Sequence, residues 1–302
     1  MRVSLSAGAA HAVLYLRRGE GPGTPFGPRR CDRSTRDRGP RRGRRRPELD
    51  PRIYAQLREI ERTHWWFQGR RRILQAALDR QDVHARAILD VGCGAGANLE
   101  MLAERFPGAA LQGVDVEREP LRFCRVDRRL PVSQADATQL PFAGASFDLV
   151  TALDALEHFA DDATALRELH RVCRPGGTLV LTVPAFGWLW GSVDELGHHH
   201  RRYRRRELVA RVEAAGFDVV LDRFFNFWLF PGIAAVRLLS RRVSQPMVGG
   251  ARASAHLPSD FDWARGGPLG ALLERILGSE ARLLGVRMPF GVSLLCIARR
   301  GP

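Results

Sequence analysis

The chain has 302 residues, 45% of them hydrophobic in type and 26% charged, and a formal net charge of +14. That apolar content calls for a packed core and excludes a fibrous or wholly disordered polymer. All 47 basic residues are arginine, a bias that fits GC-rich codon usage as well as any demand for guanidinium chemistry. Cys31, Cys93, Cys124, Cys173 and Cys296 are scattered, odd in number and free of C-x-x-C spacing, which argues against a zinc site or a disulfide framework and for a reducing cytoplasm.

In chain order, the apolar run within Met1 to Leu16 is interrupted by His11 and followed by arginines, so no signal peptide is expected. Arg17 to Arg46 carries most of the excess charge among Gly and Pro, a composition that cannot bury enough apolar surface to fold. A solvated arm or an early start codon accounts for it. Arg41, Arg42, Arg44, Arg45 and Arg46 lack the interleaved aromatics that stack on bases, so nucleic acid is disfavoured while peripheral contact with an anionic membrane stays open.

Asp50 as N-cap and Pro51 at the first helical position open an amphipathic helix through Arg62. After the cluster His64-Trp65-Trp66-Phe67, a second helix is expected over Arg70 to Leu78. Strands then read at Ala87 to Val91, Ala110 to Val114, Val132 to Ala135, Phe147 to Leu153, Thr178 to Val183, Val219 to Asp222 and Val292 to Ala298. Helices read at Asn98 to Arg105, Glu119 to Asp127, Ala163 to Cys173 and Glu207 to Ala215, the third entered from Asp161-Asp162 and closed by Pro175-Gly176-Gly177. This alternation implies a parallel α/β sheet. The run Phe224 to Val236 is too short for a bilayer and is broken by Asn226 and Pro231-Gly232, while Leu269, Leu272, Leu273, Ile276 and Leu277 mark a helical insertion before the last strand.

The sharpest motif is Ile88-Leu89-Asp90-Val91-Gly92-Cys93-Gly94-Ala95-Gly96, a buried strand entering a glycine turn that lets a ligand approach the backbone. Dinucleotide dehydrogenases use a similar loop, so its companions decide. Asp115 ends the second strand, where a carboxylate suits ribose hydroxyls, and Asp136 follows the third, where one suits an adenine amino group. With Leu140-Pro141-Phe142, Ser146-Phe147-Asp148-Leu149-Val150 and Arg171-Val172-Cys173-Arg174-Pro175-Gly176-Gly177, the sequence closely resembles the type 11 family of class I S-adenosylmethionine-dependent methyltransferases.

The resemblance covers roughly Asp50 to Arg299 and implies a Rossmann-like, seven-stranded, mostly parallel sheet with helices on both faces and an antiparallel last strand. It also implies S-adenosyl-L-methionine as cofactor, with Asp90, Gly92, Gly94 and Gly96 at its amino-acid end, Asp115 at the ribose and Asp136 at the adenine. The expected division is a disordered arm (1–48), an N-terminal helical cap (49–84), a cofactor-binding core (85–223), a helical insertion (224–288) and the last strand with the C-terminus (289–302).

Asp154, Glu157 and His158 form a D-x-x-E-H group where related quinone O-methyltransferases carry E-x-x-E-H. His158, with Asp154, is the candidate for deprotonating an acceptor; a divalent ion on the trio, or plain capping and packing, are the other readings, and no metal is counted among the expected cofactors. His64 and Trp66 either roof the site or anchor the N-terminal helices. His200 and Tyr203, from His198-His199-His200-Arg201-Arg202-Tyr203, are expected to line an acceptor pocket, since adjacent histidines point different ways and Arg201 and Arg202 repel a cation.

Similar proteins modify saccharides, lipids and other small metabolites, so the expected partner is an acceptor of that kind. The absence of an N-P-P-Y type motif disfavours amino methylation of nucleobases. A nicotinamide-dependent oxidoreductase and a non-catalytic cofactor-binding module tethered by the basic arm are the alternatives.

Overall fold

The computed structural model describes residues 59–126, 129–243 and 267–302. The expected arm and most of the Pro51 to Arg62 helix lie outside the described residues; 59–63 are helical.

Seven strands form one sheet in the order β3-β2-β1-β4-β5-β7-β6. They are β1 (Ala87–Val91), β2 (Ala110–Asp115), β3 (Val132–Gln134), β4 (Phe147–Leu153), β5 (Cys173–Pro184), β6 (Phe217–Phe225) and β7 (Ser293–Arg300). The pairs among β1 to β5 are parallel, whereas β7 runs antiparallel to both β5 and β6, the direction expected for the last strand. All five residues of β1 are buried, as a strand covered on both faces requires.

The helices are α1 (Trp65–Arg80), α2 (Ala97–Arg105), α3 (Arg118–Val126), α4 (Asp162–Val172), α5 (Ser192–Leu196), α6 (Arg205–Ala214), α7 (Phe230–Val243) and α8 (Gly267–Ser279). One face of the sheet packs Leu166 and Leu169 of α4 with Leu208 and Val212 of α6. The other packs Ile73, Leu74 and Leu78 of α1, Met101 and Leu102 of α2 and Leu277 of α8. Among the described residues no helix is long and apolar enough to cross a membrane.

Three differences from the sequence reading bear on the site and the sheet. Helix α1 begins at Trp65 rather than Arg70, because the His64 side chain caps it, Nδ1 accepting from the Trp66 amide at 3.2 Å. The aromatic cluster is therefore the first turn of the helix. Pro175-Gly176-Gly177 do not close α4; they lie inside β5, where Gly176 at φ +75° accompanies a register shift against Phe147 and Leu149. A glycine pair that reads as a stop serves here as a bulge, which bends a strand without ending it. Strand β6 is longer at both ends than Val219 to Asp222, since its pairing with β7 continues from Phe217 to Phe225.

Candidate active site

The chain leaves β1 toward β2 and β3, then crosses back to β4 on the other side of β1. The gap beyond the carboxyl ends of β1 and β4 is thus the switch point at which open α/β sheets bind ligands. The glycine turn lines it. Gly92, Gly94 and Gly96 have φ of +73°, +52° and +90°, a left-handed region that L side chains avoid. A Cβ on Gly92 would stand 2.6 Å from the Cβ of Ala155, so the turn abuts the segment after β4. A Cβ on Gly94 would meet Glu61 Oε1 at 3.1 Å, which places the N-terminal helical residues over the turn.

The three carboxylates expected around a cofactor are held differently. Asp90 is fully buried; Oδ1 accepts from the Thr151 hydroxyl at 2.6 Å and Oδ2 has no hydrogen-bond partner. Burial pushes its pKa up to about 7. Asp115 accepts the Gly94 amide at 3.0 Å and the Glu117 amide at 2.9 Å, which fixes the carboxylate at the tip of β2 beside the turn; burial raises its pKa. Asp136 is exposed and accepts both the amide and the hydroxyl of Thr138 at 2.8 Å.

Across the gap, Asp154 follows β4 in a left-handed conformation, φ +53°, and pairs with Arg70 of α1. Arg70, 3% exposed, also donates to Asn98 Oδ1 of α2 at 3.0 Å and lies 4.8 Å above the Trp66 ring. One guanidinium therefore joins α1, the helix leaving the glycine turn and the segment after β4. Its burial lowers its pKa to about 10.

Glu157 is buried, 1% exposed, and its Oε2 has no hydrogen-bond partner; desolvation pushes its pKa up to about 8. His158 stands edge-on to His199 from the loop after β5, with ring centroids 4.6 Å apart. His199 is oriented in turn by Asp194 of α5, whose Oδ1 is 2.8 Å from Nδ1. Arg202 clamps the same carboxylate through Nε and Nη2, at 2.7 and 2.9 Å. These partners hold the Asp194 pKa down at about 2 against the opposing effect of burial.

Asp154 and His158 thus lie on the segment whose Ala155 abuts the glycine turn. Of the four residues expected at an acceptor pocket, His64 is a buried helix cap, Trp66 is half-buried beneath Arg70, and His200 is exposed. Tyr203 is fully buried, its hydroxyl donating to Asp162 Oδ2 at 2.8 Å. Arg70, Asp194 and His199 escaped individual notice in the sequence. A basic residue four positions after Trp66, on the apolar face of a helix, was the readable sign for Arg70; Asp194 carries none.

A chain of the Haloferax volcanii complex between the Trm112 methyltransferase activator and a methyltransferase aligns with 83% of this chain and 95% of its own length, at 21% identity and a TM-score of 0.52. That likeness supports the fold: a Rossmann-like methyltransferase sheet. Residues 89–181 match the family model described as a methyltransferase domain. A ubiquinone biosynthesis O-methyltransferase from Pseudomonas paraeruginosa is 35% identical over 113 residues, 34% of this chain and 47% of that protein. A malonyl-[acyl-carrier protein] O-methyltransferase from Halorhodospira halophila is 33% identical over 168 residues, 50% of this chain and 56% of that protein. The chain spans about half the length of the curated relatives it matches. Residues 89–181 are therefore a methyltransferase domain similar to those of the type 11 family of class I S-adenosylmethionine-dependent methyltransferases.

Proposed function

We propose that the protein transfers a methyl group from S-adenosyl-L-methionine to an oxygen of a small-molecule, saccharide or lipid acceptor. The observation that carries this reading is the packing of the glycine turn on Ala155, which brings the proposed cofactor turn against the segment that continues through Glu157 and His158. The names of the two relatives, both O-methyltransferases, support oxygen as the acceptor atom.

The residues present fit the cofactor. Asp90 Oδ2 is buried and unpartnered, so a cationic amino group would satisfy it, and Gly92, Gly94 and Gly96 hold the left-handed backbone that folds the turn at the end of β1. Bound there, S-adenosyl-L-methionine supplies an electrophilic methyl group on a sulfonium. Asp115, already fixed by two backbone amides, presents its carboxylate toward the ribose position, and Asp136 stands at the end of β3 for the adenine. Because methyl transfer is an in-line displacement, alignment and exclusion of water are the main work of the remaining residues. His158 takes the proton from the acceptor hydroxyl, and Asp154, held by Arg70, positions the backbone that carries it.

Calorimetry tests the reading. S-adenosyl-L-methionine and its demethylated product should bind and NAD should not. Asp115→Ala should weaken the cofactor by about 10-fold to 150-fold, equivalent to about 1.5 to 3 kcal/mol for hydrogen bonds to a charged group. Tight NAD binding with no binding of S-adenosyl-L-methionine would return the nicotinamide reading. Cofactor binding without turnover across hydroxylated acceptors would leave a non-catalytic module.

A further inference from the structure

Glu157, His158 and His199 each offer one ligand atom, and those three atoms lie within 4.8 Å of one another. We propose that this cluster is a binding site for a divalent ion of the zinc type, held by Glu157, His158 and His199 and oriented by Asp194. The set differs from the contiguous Asp154, Glu157 and His158 of the sequence, because Asp154 is occupied by Arg70 and His199 arrives from a loop some 40 residues away.

Four observations converge. The donor set, two imidazoles and one carboxylate with coordination positions left over, is one that zinc accepts in catalytic sites. Glu157 Oε2 is buried without a hydrogen-bond partner, and a desolvated carboxylate is stabilised by a nearby cation. Arg70 and Arg202 act on Glu157 electrostatically but pair with other carboxylates, Arg70 with Asp154 and Arg202 with Asp194. Finally, the Asp194 to His199 hydrogen bond has the carboxylate–histidine form that fixes the orientation and basicity of a ligating imidazole. The backbone is braced as well, the His200 amide donating to the Glu157 carbonyl at 2.8 Å. The arginine pair that seemed to repel a cation is thus answered: Arg202 meets Asp194, and Arg201 reaches Asp162 at 3.1 Å.

With an ion bound, His158 is a ligand and not the base, and the ion would instead lower the pKa of the acceptor hydroxyl; the site goes beyond the methyl-transfer reading and is tested without cofactor or acceptor. The full chain, stripped with a chelator, is titrated with Zn²⁺ and with Co²⁺, and bound metal is counted after dialysis. One equivalent should remain, with His158→Ala, His199→Ala and Glu157→Gln each weakening binding at least 10-fold. His198→Ala and His200→Ala, neighbours in the same histidine run, should bind as the wild type does. If His199→Ala does not fold, the ring protons of the Co²⁺-loaded wild type answer instead: two histidines should show paramagnetic shifts. A wild type that retains no ion, a folded His199→Ala with wild-type affinity, or equal losses at His200 and His199 overturns the site.

Discussion

The two walls of the crevice are built on different principles. The wall from β1 and β2 is made of backbone: glycines in left-handed conformations, strand ends, and a carboxylate, Asp115, that accepts backbone amides. The facing wall, from the segments after β4 and β5, is made of side chains that hold one another, with Arg70 on Asp154 and both Arg202 and His199 on Asp194. A backbone wall suits a cofactor whose shape is constant. A side-chain wall can be altered residue by residue, which suits an acceptor that varies among relatives.

The contrast breaks most visibly at Asp194. Its side chain is fully buried and that of Arg202 is 7% exposed, so Asp194→Ala strands a desolvated guanidinium. A loss of about 3–5 kcal/mol of stability is expected in chemical denaturation. Cofactor affinity of the folded fraction should be retained, because the glycine wall is not involved.

Asp90 sharpens the comparison next. Its folded pKa of about 7 lies above the ordinary carboxylate value, so the folded state holds a proton that the unfolded chain has released. That contribution is complete below about pH 4 and is lost as pH rises through 7. Wild-type stability should therefore fall between pH 5 and pH 8 by about 2–3 kcal/mol more than that of Asp90→Asn, which has no proton to lose. Equal pH slopes in urea unfolding would show that Asp90 is charged throughout.

The smallest effect is expected at Gly92→Ala. The methyl group meets Ala155 at 2.6 Å on a backbone with φ +73°, and should cost about 1–3 kcal/mol in melting experiments. Cofactor affinity should drop with it, as the turn is pushed off the segment after β4. A stable variant with unchanged affinity would mean that the two walls are not in register.

Much of the backbone wall was readable. Asp90, Gly92, Gly94 and Gly96 stand within seven residues, and the strand that introduces them is apolar enough to announce itself. The order of elements and the antiparallel last strand followed from the resemblance. In the side-chain wall Asp154, Glu157 and His158 were readable as a motif but their pairings were not, for a physical reason: these join residues 84 apart for Arg70 and Asp154 and bring His199 against His158 from a different strand end. No local period encodes such contacts. Tyr203 shows the same limit from the other side, since a polar aromatic in an arginine-rich loop gave no hint that Asp162 waits for its hydroxyl in the core.

Helix α1 seats Gly69 against α8 so closely that a Cβ there would stand 2.7 Å from Leu277 Cγ, and Arg72 meets Glu274 at 2.6 Å. More than 200 residues separate Gly69 from Leu277 in the chain. During synthesis, α1 leaves the ribosome before α8 and has nothing of that helix to dock on until residues 267–279 have emerged. Contacts of such long sequence separation form late because the intervening loop must close first. Arg70 rides on α1, so its bridge to Asp154 and Asn98 is among the last parts to assemble, and a nascent or truncated chain carries the glycine turn before the crevice has its roof.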